Sequence, residues 1–101
     1  MTEAGSFVVA EFETDDILPK SITHEVELSY NFIRYEFETD HHFYWARSYL
    51  SEIEKVAIYG PFKSSDDLEK IEAPIDDRVF GYFKRRFRVI ERLTENGYEA
   101  L

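Results

Sequence analysis

Over residues 32–39 apolar side chains alternate with charged ones: Ile33, Tyr35, Phe37 and Thr39 point one way, Glu36 and Glu38 the other. A period of two is the mark of a half-buried strand. Val8, Ala10, Phe12 and Thr14 follow the same rule, with Glu11 and Glu13 on the opposite side. The two stretches share a pentapeptide, Glu11-Phe12-Glu13-Thr14-Asp15 recurring as Glu36-Phe37-Glu38-Thr39-Asp40. One pair of copies falls short of a repeat array, which needs about three units. Each strand is therefore expected to carry one apolar face and one carboxylate face.

Leu18-Pro19-Lys20-Ser21 reads as a loop between the copies. Residues 22–29 alternate again, with Val26 and Leu28 inward and Glu25 and Glu27 outward. The phase slips at Tyr30 and Asn31, which a tight turn or a bulge explains. Asp40-His41-His42 reads as the next turn. Residues 43–50 fit two patterns. Their aromatic content favours a strand, while Phe43, Ala46, Leu50, Ile53 and Ala57 also share helical spacing; the strand is the better reading. Residues 56–59 form a short strand closed by Gly60-Pro61.

Beyond Lys63 the pattern turns helical. Asp66 and Glu69, after Ser64 and Ser65, look like a capping box opening a short helix that ends before Pro74. A longer helix is expected from Asp76 or Asp77 to about Asn96, with Gly97 as its stop. Phe80, Phe83, Phe87, Ile90 and Thr94 would share its inner face, and Arg78, Lys84, Arg85, Arg88 and Arg92 the opposite one. The expected fold class is α+β: an antiparallel meander of four to five strands, with the short helix and the long C-terminal helix packed on one face. Residues 1–101 would form a single domain, 1–62 mainly β and 63–97 mainly α.

Charge sharpens this picture. The chain carries 21 acidic and 12 basic residues, a net charge of −9. Half of the basic residues fall after position 77, where they outnumber the glutamates. At long range such a molecule repels nucleic acid and anionic lipid and attracts basic protein surfaces. No cysteine is present, which excludes disulfides, thiolate metal sites and a cysteine nucleophile. No leader-like segment opens the chain and no apolar run reaches membrane-spanning length, so a cytoplasmic location is expected.

Catalytic chemistry finds little support in the sequence. The glutamate rows provide no contrast of environment such as a glycosidase pair needs. Asp40, His41 and His42 could ligate a metal only if Asp15, Asp16 or His24 converged on them, because adjacent histidines on a strand face opposite ways. Tyr59-Gly60-Pro61-Phe62 before Ser64 lacks the lysine and glycines of a phosphate loop. No cofactor motif is present.

Two surfaces remain. Glu11, Glu13, Glu36 and Glu38 would form an acidic face for a basic partner. Arg78, Lys84, Arg85, Arg88 and Arg92 would form a basic helix face, for an acidic protein, a second copy of the chain, or nucleic acid. Phe43, Tyr44, Trp45, Tyr49, Tyr59, Tyr82 and Tyr98 exceed what so small a core is expected to hide, and Tyr, Trp and Arg are the residue types enriched at interface centres. The sequence thus points to a non-enzymatic protein-binding module of the inhibitor, immunity or adaptor kind. A nucleic-acid-associated regulator acting through the basic helix face is the alternative.

Overall fold

The computed structural model describes residues 15–101; the first strand copy, with Glu11 and Glu13, lies outside the described residues. Four consecutive strands form an antiparallel meander: β1 (Ser21–Glu27), β2 (Tyr30–Glu38), β3 (Phe43–Tyr49) and β4 (Lys55–Phe62). A helix, α1 (Asp77–Lys84), then carries the chain across to β5 (Val89–Thr94), which pairs parallel with β4. The parallel pairing requires such a crossover. β6 (Gly97–Ala100) returns antiparallel to β5, so strand order in the sheet follows order in the chain.

The expected α+β arrangement with a long C-terminal helix is therefore corrected. The sheet has six strands and is mixed, and the one helix among the described residues spans eight residues. Residues 63–76 hold no helix either. There Ser64 Oγ accepts from the Asp67 amide at 3.0 Å and Asp67 Oδ1 from the Glu69 amide at 3.2 Å. The residues that resemble a capping box are spent on local turns, a known alternative use of such side chains.

The long helix fails for a physical reason. Lys84, Arg85, Arg86 and Arg88 crowd one segment with cations, which the negative end of a helix tolerates and its interior does not. The helix ends there, with Arg85 as its C-cap. Val89 and Ile90 are β-branched and pair with Lys55 and Val56 instead. Glu95 and Asn96 then form a hairpin turn, and Gly97, at φ 100°, opens β6 opposite Thr94 and is not a helix stop.

The meander follows the expected alternation. Ile33, Tyr35 and Phe37 of β2, Tyr44 and Ala46 of β3, Val56 and Ile58 of β4 and Ile90 of β5 build the core under α1. Val79, Tyr82 and Phe83 close it from the helix. The rings meet edge to face, Tyr35 with Phe83 at 5.2 Å and Phe37 with Tyr82 at 5.0 Å, a geometry aromatic quadrupoles favour. Tyr44 and Tyr82 are buried in this core, and Phe43 and Tyr59 are buried outside it, so the fold hides more of the aromatic surplus than expected. Val26 and Leu28 depart the other way and lie exposed, because Leu28 and Ser29 turn the chain at positive φ. Among the described residues no helix is long and apolar enough to cross a membrane.

Candidate functional site

Among the described residues, no element covers the sheet face opposite α1. Cross-strand register sets its lining: Glu36 lies opposite Trp45 and Arg34 opposite Arg47, while Trp45 lies opposite Tyr59 and Arg47 opposite Ala57. Glu91 lies beside Ala57, and Tyr98 of β6 opposite Leu93.

The centre of this face is a stack of rings and guanidinium groups. Trp45 and Tyr59 lie parallel, their centroids 4.0 Å apart and their planes within 11°. Arg34 covers the outer surface of Trp45 at 4.2 Å, and its Nε donates to Glu36 Oε2 at 3.0 Å. Arg47 sits among Tyr49, Tyr59, Phe32 and Trp45, 5.2–5.8 Å from each ring centroid. The Tyr59 and Tyr98 hydroxyls share a hydrogen bond at 2.6 Å. Burial first, and then that bond, push the Tyr59 phenol above its ordinary value, with Arg47 opposing. Burial works against the Arg47 charge, but the Tyr98 hydrogen bond and the surrounding phenol oxygens outweigh it, so its pKa stands above the usual arginine value.

Acids flank the centre. On the β1–β2 side lie Glu25, Glu27, Glu36 and Glu38. Glu25 accepts from the Thr23 hydroxyl at 3.1 Å, and Glu38 pairs with Lys20 at 3.6 Å. On the β4–β5 side, Glu91 and Glu52 share Lys55 at 3.6 and 3.4 Å. Of the four expected acidic-face residues, Glu36 and Glu38 thus share the open face. Glu11 and Glu13 lie outside the described residues.

The five expected cations do not line one helix face. Arg78 opens α1 and forks onto Asp76, at 3.0 Å from both carboxylate oxygens. Lys84 closes the helix, over the Phe80 ring at 5.7 Å. Arg85 reaches Asp15 at 3.5 Å, and Arg88, before β5, reaches Glu54 at 3.4 Å. Arg92 lies on β5 and donates to the Ala73 carbonyl at 2.7 Å, which ties the 63–76 segment to the sheet.

Sequence reasoning passed over Arg34 and Arg47. Their signal was the alternation itself: residues at even positions in β2 and odd positions in β3 share the face that bears Glu36 and Trp45. His41 and His42 lie in the β2–β3 turn, where the His42 amide donates to Thr39 Oγ1 at 3.0 Å, and His24 lies within 2.9 Å of Asn31 on β1 and β2. Among the described residues no group of three metal-ligating side chains converges.

Set against protein-family models, curated proteins and solved structures, the chain matches none.

Proposed function

We propose that this chain is a small non-enzymatic module that binds a protein through the open face of its sheet, as a stoichiometric inhibitor, immunity-type protein or adaptor does. One observation carries the reading: Trp45, Tyr59, Arg34 and Arg47 stack at the middle of that face, with glutamates to either side. Protein interfaces concentrate binding energy in such centres of aromatic and arginine side chains, ringed by charged residues. A fold gains little by placing its tryptophan on a sheet face that no element among the described residues covers. The acidic flanks select a target with a basic rim, and the net charge of −9 speeds the encounter.

The nucleic-acid alternative has no comparable support. Its five cations are divided between α1 with its C-terminal end and the β5 region, and most of them face a carboxylate or carbonyl of the same chain.

Capture of the target from extract of the source cells, with and without nuclease, tests the reading. Trp45→Ala, and separately Glu36→Lys with Glu38→Lys, should each release the captured protein, whereas Arg88→Met should retain it. Retention by both the Trp45 variant and the paired charge reversal, with unfolding transitions intact, overturns the reading; so does capture that nuclease abolishes.

A further inference from the structure

Beside the Trp45–Tyr59 stack the open face sinks into a hollow of about 200 Å³, lined by Arg47, Tyr49, Lys55, Tyr59, Glu91 and Tyr98 among others. Arg47 is the unusual member. Its Nε is buried and has no hydrogen-bond partner, and the hydrogen bonds its side chain does make go to the neutral Tyr98 and Tyr59 hydroxyls. Among the described residues no carboxylate lies within salt-bridge distance of it, in a chain where acids outnumber bases. It also stands directly across the β2–β3 ladder from Arg34, and like charges so opposed destabilise a sheet. Glu36, two residues along β2 from Arg34, is taken by that arginine at 3.0 Å. Buried charges are ordinarily paired, so a half-buried guanidinium with no counter-ion among the described residues, beside an open hollow, points to an anion from outside the chain.

The other walls define which anion. Glu52 and Glu91 also line the hollow, but Lys55 lies 3.4 and 3.6 Å from them. The four charges of Arg47, Lys55, Glu52 and Glu91 cancel, so a polyanion such as a phosphate monoester meets repulsion from the glutamates. A single planar carboxylate suits the guanidinium fork. In the Tyr59–Tyr98 hydrogen bond one hydroxyl donates and the other keeps its proton free for a further acceptor. The rings of Tyr49 and Tyr59 offer apolar walls to whatever carries the carboxylate.

We propose that the hollow over Arg47 receives one carboxylate borne on an apolar body, with Arg47 as the principal contact, the Tyr59–Tyr98 hydroxyl pair as the second donor, and Tyr49 and Tyr59 as walls. It rests on the open face being a binding surface and deepens that reading: the target would bring one acid, a side chain or a chain terminus, into the middle of an otherwise basic rim. A free organic acid would present the same chemistry.

The sole tryptophan, Trp45, stacks on Tyr59 and lies 5.8 Å from Arg47, so its fluorescence reports on occupancy. Purified protein is titrated with benzoate, with its neutral isostere benzamide, and with N-acetylglutamic acid α-amide and N-acetylphenylalanine. Saturable quenching by at least one carboxylate, at least tenfold tighter than by benzamide, is expected. A preference for benzoate assigns the free acid as the source, and a preference for either amino-acid derivative assigns a protein carboxylate. Arg47→Met should abolish the difference between benzoate and benzamide, Arg47→Lys should weaken it, and Arg88→Met should leave it unchanged. Absence of saturation with all three carboxylates, or benzamide binding as tightly as the tightest of them in the unaltered protein, overturns the proposal even if both Arg47 variants fail to fold. Target capture that still depends on Trp45 would then stand, because the titration involves no target protein.

Discussion

Asp15 Oδ2 and Arg86 Nη2 meet at 2.7 Å with side chains only 1% and 7% exposed, which makes them the most deeply enclosed ion pair among the described residues. Arg86 is held from three sides. Its guanidinium lies 3.6 Å from the Tyr82 ring centroid, and Nη1 donates to the Tyr82 carbonyl at 2.9 Å as well as to Asp15 Oδ1 at 3.1 Å. The pair therefore pins the chain entering β1 to the end of α1. Removing one partner takes a carboxylate away from a buried guanidinium, so Asp15→Asn should be clearly destabilising in urea unfolding, up to about 3–5 kcal/mol. Arg88→Ala, at an 81% exposed side chain, should change stability by no more than about 0.5 kcal/mol. Equal effects of the two substitutions would show that the Asp15 contact contributes nothing beyond a surface pair.

Phe83 tests the packing of the helix on the sheet. It is fully buried and touches Tyr35, Phe37 and Tyr82 edge to face. Phe83→Ala should cost about 3–5 kcal/mol. Phe87→Ala should cost clearly less, since Phe87 is only partly buried beyond the end of α1. Matching losses would mean that residue 87 continues the helix into the core.

The meander was legible because one face of it is buried and the other is not. Register and burial then both write a period of two, which Ile33, Tyr35 and Phe37 display. The C-terminal third was not legible from periodicity. Phe80, Phe83, Phe87 and Ile90 keep helical spacing by coincidence: the first two lie on α1, Phe87 follows it, and Ile90 belongs to a strand. What distinguished them was local chemistry, namely the cation cluster that ends a helix and the Glu95-Asn96 turn before Gly97 that makes a hairpin. The acidic side of the candidate site was readable from Glu36 and Glu38. Its centre was not, because the stacking of Arg34 on Trp45 and the seating of Arg47 among four rings depend on which strands become neighbours.

Two glycines at positive φ make opposite demands. At Gly60, φ is 115° and an added Cβ would lie 2.9 Å from the Phe43 carbonyl oxygen, a backbone atom that cannot swing aside. At Gly97, φ is 100° and an added Cβ meets nothing within 4 Å. Gly97→Ala should therefore cost only the conformational strain, about 1–2 kcal/mol. Gly60→Ala should exceed it, because the β3–β4 ladder must also shift. The reverse order in thermal unfolding would place the close approach elsewhere.

Tyr35 contributes to the alkaline limit of the fold, as the raised phenols of Tyr59 and Tyr44 do. Burial, then the neighbouring Tyr82, raises its phenol from 10.0 to about 12. In the unfolded chain the same phenol ionises at its ordinary value. Stability from this group is thus complete below pH 10 and falls between pH 10 and about 12, as the unfolded state sheds a proton that the folded state keeps. The loss across that window is on the order of 2–3 kcal/mol. Phenolate absorbance should show Tyr35 titrating only with unfolding, and Tyr35→Phe should flatten the decline. An unchanged alkaline slope in that variant would remove Tyr35 as its cause.

Asp76 contributes on the acid side. Its Oδ1 accepts from the Arg78 amide at 2.8 Å, capping α1, while the Arg78 guanidinium forks onto both carboxylate oxygens. Its own amide donates to the Tyr44 hydroxyl at 3.1 Å, which fixes the helix start against β3. The hydrogen bond from Arg78 is the chief cause that holds the Asp76 carboxyl below the usual carboxylate range. A depressed carboxyl stabilises the fold above its unfolded pKa, about 4, and that contribution is lost as pH falls through the folded value. Asp76→Ala should cost about 1–2 kcal/mol at neutral pH, the usual worth of a cap. Asp76→Asn keeps a capping oxygen but no charge, so it should cost less at neutral pH and nothing extra in acid. Unfolding measured from pH 7 to pH 2 should therefore show the gap between the unaltered protein and Asp76→Ala narrowing as the carboxyl protonates; parallel curves for the two would mean that Asp76 carries no charge-dependent share of stability.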